Sequence, residues 1–239
     1  MIFITGDLHA NLDIHKFSTK NFPVQKQLTR KDYVIICGDF GLVWDNSREE
    51  KWWLKWLEQK NWTTLWIDGN HENFDLLETY PVTEWNGIPV HQITEHIFHI
   101  CRGSVFTLEG KRFFAFGGAE SHDKADRKWG VSIWEQELPS TAEMEHGRQE
   151  LEKNGWHVDI VITHSLPQHI QNRMFEWGAF SRNALTEYFD EIDEKLDFRF
   201  WFSGHYHLSK PCDEKHFLVY HEIYQLTEDG FFSVQPEKK

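Results

Sequence analysis

Five short motifs constrain the fold of this 239-residue chain more than any other feature, because each carries a side chain of a type that binds metals. The motifs are Gly6-Asp7-Leu8-His9, Gly38-Asp39, Gly69-Asn70-His71-Glu72, Thr163-His164 and Gly204-His205-Tyr206-His207. Most follow runs of β-forming residues, at 2–5, 33–37, 64–68, 158–163 and 199–203. Ligands of open α/β sheets bind beyond the carboxyl ends of the strands. The five motifs are therefore expected to meet at one edge of a sheet.

The spacing within the first and last motifs indicates chelation. Side chains alternate along a strand, so residues at positions i and i+2 point to the same side. Asp7 with His9, and His205 with His207, are therefore candidate chelating pairs. A single Gly-Asp or His-x-His arises often by chance, whereas five such motifs after strand-like runs indicate a metal cluster.

The order of the motifs resembles the calcineurin-like metallophosphoesterase superfamily, and the chain looks closest to its small bacterial and phage-like members. The resemblance runs from residue 6 to residue 207. It implies an α/β fold with two facing mixed β-sheets flanked by helices, a four-layer α/β/β/α sandwich. It also implies a dinuclear metal-dependent phosphoesterase, which hydrolyses a small phosphomonoester or phosphodiester by means of a metal-activated hydroxide.

The same resemblance implies a role for each motif residue. Two divalent metal ions, of Mn, Fe or Zn, would be bound by carboxylate, imidazole and amide groups, which suit such metals. The first ion would be bound by Asp7, His9 and His207, and the second by Asn70, His164 and His205. Asp39 would bridge the two ions. His71 matches the family's general acid, or positive stabiliser, at the leaving oxygen.

Each of these residues also has a structural interpretation. Asp7, Asp39 and Asn70 could serve as turn or helix-cap residues after a strand. His164 stands alone after its strand, so its assignment depends on its place between the third and fifth motifs. The remaining histidines lack motif context and are interpreted as surface or core residues: His15, His91, His96, His99, His122, His146, His157, His169, His216 and His221.

Departures from the protein Ser/Thr phosphatase branch argue against that activity. That branch reads Gly-Asp-x-x-Asp-Arg at the second motif, where this chain has Leu42 and Val43. Phe74 stands where the same branch has an Arg after the third motif. The acidic partner that would orient His71 is thus absent from its usual place. Either Asp45 or another group orients His71, or His71 is a weaker acid.

Residues 117–139 form a long irregular segment, which we interpret as a candidate substrate loop within a single domain spanning residues 1–239. Long irregular loops in compact domains are often functional. Cations bind phosphate oxygens and an aromatic face stacks on a base or ring, so Arg127 and Trp134 are the predicted substrate contacts. The alternative is a surface insertion whose tryptophans pin it to the core.

Composition limits the partners. The formal net charge of −13 argues against nonspecific binding of nucleic acid, which depends on Lys and Arg. A nuclease of the same superfamily remains the alternative enzyme, and a catalytically silent metal-binding scaffold is the alternative from another class. Three cysteines, Cys37, Cys101 and Cys212, do not make a disulfide framework. Without a signal peptide or an apolar run of membrane-spanning length, the expectation is a cytoplasmic protein with a small phosphorylated substrate and no membrane partner.

The remaining pattern predicts alternating strands and helices. Helices are predicted at residues 47–60, 73–79, 140–154 and 181–195, with a polar, helix-compatible segment at 11–31. Ser140 and Glu143 are spaced as a capping box. The tryptophans of the first predicted helix are interpreted as a face that packs on the sheet.

Three short strand-like runs in the middle of the chain predict an antiparallel meander. They cover residues 97–102, 104–108 and 112–116, and Gly103 and Gly110 stand at the turns between them. Glycine at such turns is typical of strands that follow one another in a single sheet.

Overall fold

The computed structural model of the protein describes residues 1–176 and 180–237. Its strands are, in chain order, β1 (Ile2–Thr5), β2 (Tyr33–Ile36), β3 (Thr63–Trp66), β4 (Val82–Trp85), β5 (Ile88–Gln92), β6 (Ile97–Ile100), β7 (Ser104–Leu108), β8 (Lys111–Phe116), β9 (Ile160–Thr163), β10 (Phe200–Ser203), β11 (Lys210–Pro211), β12 (His216–Leu218), β13 (Tyr224–Leu226) and β14 (Phe231–Ser233). The α-helices are α1 (Arg48–Glu58), α2 (Phe74–Leu77), α3 (Thr141–Lys153), α4 (Gln168–Met174) and α5 (Ala184–Lys195). In this described part of the chain, no helix combines the length and the apolar character needed to cross a bilayer.

The strands form two mixed sheets, each with a parallel centre and antiparallel edges. The first sheet has the order β14-β13-β1-β2-β3-β6-β5-β4, and its strands β1, β2, β3 and β6 are parallel. The second sheet has the order β11-β12-β10-β9-β8-β7, and its strands β12, β10, β9 and β8 are parallel. The carboxyl ends of the parallel strands in each sheet therefore share one edge.

Apolar side chains on both faces of each sheet produce four layers. Ile35 and Leu65 of the first sheet pack with Ile162 and Phe202 of the second in one buried cluster. Helix α1 packs Leu57 over the outer face of the first sheet, and α3 and α5 cover the outer face of the second. Burial of each such side chain contributes roughly 1.5–3 kcal/mol. The expected architecture, two facing mixed sheets flanked by helices, is confirmed.

The middle strands do not form one meander, so that prediction is wrong. Strand β6 pairs in parallel with β3 in the first sheet, whereas β7 and β8 form an antiparallel pair in the second. The chain changes sheets at Gly103, whose φ is +82° and where a Cβ would lie 2.8 Å from Gly147 Cα. Gly103 therefore lies at a turn between the two sheets and not within one sheet. Glycine is needed there because α3 packs directly against it.

The helices were predicted best where local caps define them. Ser47 and Asn183 cap α1 and α5, and the predicted capping box of Ser140 and Glu143 begins α3. Residues 11–31 form two short 3₁₀ helices instead of an α-helix. Pro23 contributes to this difference because it lacks an N–H group.

The tryptophan face of α1 is only partly a core face. Trp53 and Trp56 are half-buried against the core cluster, whereas Trp52 is 56% exposed. Leu54 and Leu57 make the buried contacts of this helix. The short helix α4 and the β4–β5 hairpin were not predicted.

Candidate metal centre

The structure brings the seven predicted ligands to one rim, formed by the carboxyl ends of five parallel strands. Strands β1, β2 and β3 of the first sheet and β9 and β10 of the second each end at or shortly before a candidate ligand motif. These strand ends position, in chain order, Asp7, His9, Asp39, Asn70, His164, His205 and His207. The two sheets therefore contribute to the same cluster from opposite sides.

The carboxylate of Asp39 lies between two groups of ligands. Its Oδ2 is 3.9 Å from Nε2 of His9, and its Oδ1 is 3.3 Å from Nε2 of His164. Oδ1 also accepts a 2.8 Å hydrogen bond from the backbone N–H of His71. The two oxygens face different groups, which is the arrangement that a carboxylate bridging two cations requires.

The first group, next to Oδ2 of Asp39, has the composition of a cation site. Asp7, His9, Asp39 and His207 each offer a ligand atom within 4.8 Å of the others. Nε2 of His207 is 2.9 Å from Nε2 of His9 and 3.3 Å from Oδ2 of Asp7. That Asp7 oxygen is buried and has no hydrogen-bond partner among the described residues. A buried polar atom without a partner is costly, and a bound cation would satisfy it. The residues therefore fit a metal ion.

The second group contains Asn70 and His164, which are oriented by their neighbours. Nε2 of His164 is 3.2 Å from Oδ1 of Asn70, while its Nδ1 donates a hydrogen bond of 2.6 Å to the carbonyl oxygen of Cys37. The amide nitrogen of Asn70 donates to Oγ of Ser121 at 3.1 Å. A backbone carbonyl on the second ring nitrogen is typical of histidines that bind metals. Nε2 of His164 thus lies within 3.3 Å of both Oδ1 of Asn70 and Oδ1 of Asp39.

A histidine that sequence analysis missed also faces the second group. Nε2 of His122 is 3.1 Å from Nε2 of His205, and the His205 ring centroid is 5.1 Å from that of His164. His122 lies in the irregular segment, and no spacing in the sequence links it to the motifs. It reaches the rim because the segment lies against the candidate ligands, as the hydrogen bond from Asn70 to Ser121 shows.

The carboxylates and histidines of the rim shift one another's pKa values. Burial would raise the pKa of Asp39, but His164 holds that pKa well below its usual range. Burial would likewise lower the pKa of His164, but the carboxylates of Asp39 and Asp7 raise it to about 10. Asp39 is therefore ionised, and its negative charge favours a cation next to it.

Four of the candidate ligand residues adopt the left-handed backbone conformation. Their φ angles are 43° for His9, 48° for Asp39, 70° for His205 and 50° for His207. Each such conformation costs on the order of 1–3 kcal/mol and persists only where the surrounding structure enforces it. The rim therefore stores backbone strain to direct these side chains.

Two glycines allow the side chains of candidate ligands to approach the backbone closely. A Cβ at Gly38, whose φ is +96°, would lie 2.2 Å from Nδ1 of His164. A Cβ at Gly204 would lie 2.2 Å from Oδ1 of Asp7. These distances are shorter than any real contact, so only glycine fits at either position.

Glu72 is a buried carboxylate that ties together two of the ligand loops. Its Oε1 accepts hydrogen bonds from the backbone N–H groups of Phe40 at 2.7 Å and Gly69 at 3.4 Å, and its Oε2 accepts from Gly41 at 3.4 Å. Burial, together with the charge of Asp39, raises the pKa of Glu72 well above its usual range. Glu72 holds the loop after β2 against the loop after β3, and sequence analysis gave it no role.

Arg127 of the irregular segment packs against His71. Its Nη2 is 2.7 Å from Nε2 and 3.1 Å from Nδ1 of the imidazole, and its Nε pairs with Asp123 at 2.7 Å. Asp45, the alternative partner for His71, instead accepts a hydrogen bond from the N–H of Ser47. Burial lowers the pKa of His71, and the charge of Arg127 acts in the same direction, against that of Asp39. The side chain that contacts the ring of His71 is thus a cation, Arg127, and not the acid that orients the histidine in the other branch.

Trp134, the other predicted substrate contact, does not lie at the rim. Its side chain is buried in the core cluster, where its ring lies edge-on to that of Trp44 with the centroids 5.6 Å apart. Its Nε1 donates a hydrogen bond of 2.9 Å to Oδ2 of Asp75. The prediction of a substrate contact is therefore corrected: the indole pins the segment to the core, because its side chain is buried and its N–H is already paired.

The model of the calcineurin-like phosphoesterase family matches residues 1–209 of the chain. A similar solved structure is that of a protein described as a putative 5′-nucleotidase from Staphylococcus aureus, in complex with alpha-ketoglutarate, with a TM-score of 0.48 and 15% sequence identity. The match covers 99% of this chain and 53% of that chain, so this chain spans about half the length of that protein. No curated protein matches the chain.

Proposed function

Because the chain belongs to the calcineurin-like phosphoesterase family, a family of hydrolases that act on phosphoric esters, we propose that its rim is a dinuclear metal centre that hydrolyses a small phosphorylated molecule. The observation that supports this most is the position of Asp39. Its two oxygens face two groups of ligands, one around His9 and one around His164. A single mononuclear site would not require that arrangement.

Seven side chains would bind the two ions. Asp7, His9 and His207 would hold the first, and Asp39 would hold both. The second would be held by Asn70, His164 and His205. Two such ions supply Lewis acidity, which makes water a stronger nucleophile and offsets the charge of the phosphoryl group. Oxygen and imidazole ligands suit Mn, Fe or Zn.

His71 would act on the leaving group. Its backbone N–H is held by Asp39 and its ring lies against Arg127, so its position between the centre and the irregular segment is well defined. From there it can donate a hydrogen bond or a proton to the leaving oxygen. The charge of Arg127 lowers the pKa of His71, so proton donation by His71 would depend on the opposing charges of Asp39 and of the bound phosphoryl group. Arg127 would itself attract an anionic substrate.

Metal analysis combined with a panel of phosphoesters tests the proposed function. The panel should contain monoesters, diesters, nucleotides and single-stranded DNA, and we expect hydrolysis of a small phosphorylated compound that depends on bound metal. A protein that cleaves only the DNA would be a nuclease of the same superfamily. A fully metallated protein that hydrolyses none of the panel would be a silent scaffold, and the proposal would be wrong.

We expect His71→Ala to reduce turnover while the metal content stays unchanged. A general acid contributes about 10²–10⁴-fold, and most of this is needed when the leaving group is poor. The loss should therefore be larger for an alkyl phosphate than for a nitrophenyl phosphate, as measured by kcat for both esters. Equal losses for the two esters would exclude proton donation and leave only electrostatic stabilisation.

Arg127→Ala should raise KM for the physiological substrate by roughly tenfold or more, since a charge-assisted hydrogen bond is worth about 1.5–3 kcal/mol. A minimal nitrophenyl ester should be affected far less, because it lacks the groups that reach the segment. Lys124→Ala is the matched control, since Lys124 is a cation of the same segment that pairs with Glu120 away from His71. If both variants raise KM equally, Arg127 has no specific role in binding.

A further inference from the structure

His91, His99 and Cys101 form a second cluster of metal-binding side chains, remote from the rim. His91 of β5 stands directly opposite His99 of β6 in their antiparallel register, and Cys101 follows two residues after His99. Cross-strand partners on one face lie close together, as do residues two apart along a strand. Each of the three offers a ligand atom within 4.8 Å of the others.

Both histidines are oriented through one ring nitrogen. Nε2 of His99 is 3.2 Å from Oδ1 of Asp68, and Nδ1 of His91 is 2.8 Å from the carbonyl oxygen of Tyr80. Histidines that bind metals almost always donate their second ring N–H to a carboxylate or a carbonyl in this way. The other nitrogen of each ring then carries a lone pair that is available to a cation.

The free nitrogen of His99 is an unexplained feature of the fold. Nδ1 of His99 is buried and has no hydrogen-bond partner in the described part of the chain, and the residue is only 4% exposed. Leaving a buried polar atom unsatisfied costs on the order of 1–3 kcal/mol. In a protein where most buried polar groups are paired, such an atom indicates a partner that binds there.

A small cavity adjoins the cluster and has the charge that a cation needs. The cavity has a volume of about 120 Å³, and its lining includes all three side chains of the cluster. Its charged lining residues are three acids and one base, Asp68, Glu78, Glu143 and Arg102. Arg102 is already paired with Asp68 at 2.5 Å and with Glu143 at 3.4 Å. The surroundings therefore favour a positive ion.

We propose that His91, His99 and Cys101 bind a zinc ion in addition to those of the rim, with a water molecule from the cavity in the fourth position. Imidazole nitrogen and thiolate sulfur are both ligands that zinc takes in proteins. Zinc bonds of about 2.0–2.3 Å place tetrahedral ligand atoms roughly 3.3–3.8 Å apart. The present separations, within 4.8 Å, need only small side-chain rotations to reach these values.

Zinc binding would release one proton. Burial raises the pKa of the Cys101 thiol to about 12, so the thiol is protonated when no cation is bound. On binding, the S–H proton leaves to water and the sulfur forms the bond to zinc, as is usual for thiolate sites. The bound ion would join the β5–β6 hairpin to Asp68, whose backbone carbonyl accepts a hydrogen bond from Gly118 at the start of the irregular segment.

Cobalt(II) titration of the full-length protein tests this site separately from the rim. A thiolate bound to Co²⁺ gives a near-ultraviolet charge-transfer band, and the seven ligands of the rim include no thiolate. We expect the wild-type protein to show this band and Cys101→Ser to lose it, with one metal ion fewer bound. Cys212→Ser, which changes another half-buried cysteine outside the cluster, should keep the band.

The variant His91→Gln provides a second test of the site if Cys101→Ser does not fold. His91 is less buried than His99, so its substitution should leave the fold intact while it weakens the band and the affinity for zinc. Far-ultraviolet circular dichroism verifies that each variant is folded. The absence of the band from folded wild-type protein at saturating Co²⁺, or its persistence in folded Cys101→Ser, would overturn the proposal.

Discussion

Asp39→Asn should lower phosphoesterase turnover by at least about a hundredfold and weaken the binding of both metal ions. Metal ions supply several kcal/mol of transition-state stabilisation, and each 1.36 kcal/mol is a factor of ten in rate. An amide offers one oxygen instead of two, so the substituted side chain could direct its oxygen at either His9 or His164, but not at both as the carboxylate does. Loss of the negative charge also removes the attraction for both cations.

Metal content and kcat measured together decide this prediction. Asp45→Asn is the matched control, because Asp45 follows the same strand but only accepts hydrogen bonds at the start of α1. The control should retain its metal and its activity. An Asp39→Asn protein with a full complement of metal and normal turnover would exclude a shared bridging position, and with it the dinuclear model.

Gly38→Ala should inactivate the enzyme nearly as strongly, although it changes no ligand. The new Cβ would lie 2.2 Å from Nδ1 of His164 and 2.5 Å from its Cγ, so the imidazole must move. Movement breaks the hydrogen bond to the carbonyl oxygen of Cys37 and takes Nε2 away from Asp39. Since the substituted residue must also keep a φ of +96°, the variant should lose stability as well.

The chain offers a control that separates these two effects. Gly87, in the β4–β5 turn, has a φ of +80°, and a Cβ there would meet nothing within 4 Å. Gly87→Ala therefore carries the backbone cost alone, about 1–2 kcal/mol. Thermal unfolding should shift in both variants, but only Gly38→Ala should lose metal and activity. Normal activity in folded Gly38→Ala would show that the position of His164 is not critical.

Local patterns in the sequence were sufficient for several elements. The capping box of Ser140 and Glu143 and the apolar runs before each motif depend on residues a few positions apart, and the structure has α3 and the five strands where they were predicted. Strand pairing depends on distant residues, which is why the middle strands were assigned to one sheet. In the structure β6 pairs with β3, while β7 pairs with β8.

In the candidate site, too, local patterns were predicted from the sequence and contacts between distant residues were not. The motifs placed ligand-type side chains at strand ends, and the structure brings all seven to one rim. His122 and Arg127 lie on a segment without periodicity, so their contacts with His205 and His71 had no local signal. Trp134 was misjudged for a related reason. An aromatic residue in a loop has the same sequence pattern whether it faces a substrate or, as here, the core.

The residues that end the central strands follow from local sequence patterns, because side-chain alternation and glycine turns act over a few residues. The family follows from the sequence as well, because the motifs that define it follow one another in order. Three relations are visible only in the folded chain: which oxygen of Asp39 faces which histidine, the contact of Arg127 rather than an acid with His71, and the meeting of His91, His99 and Cys101. These relations depend on how the two sheets and the irregular segment pack, and packing is set by contacts between residues far apart in the chain.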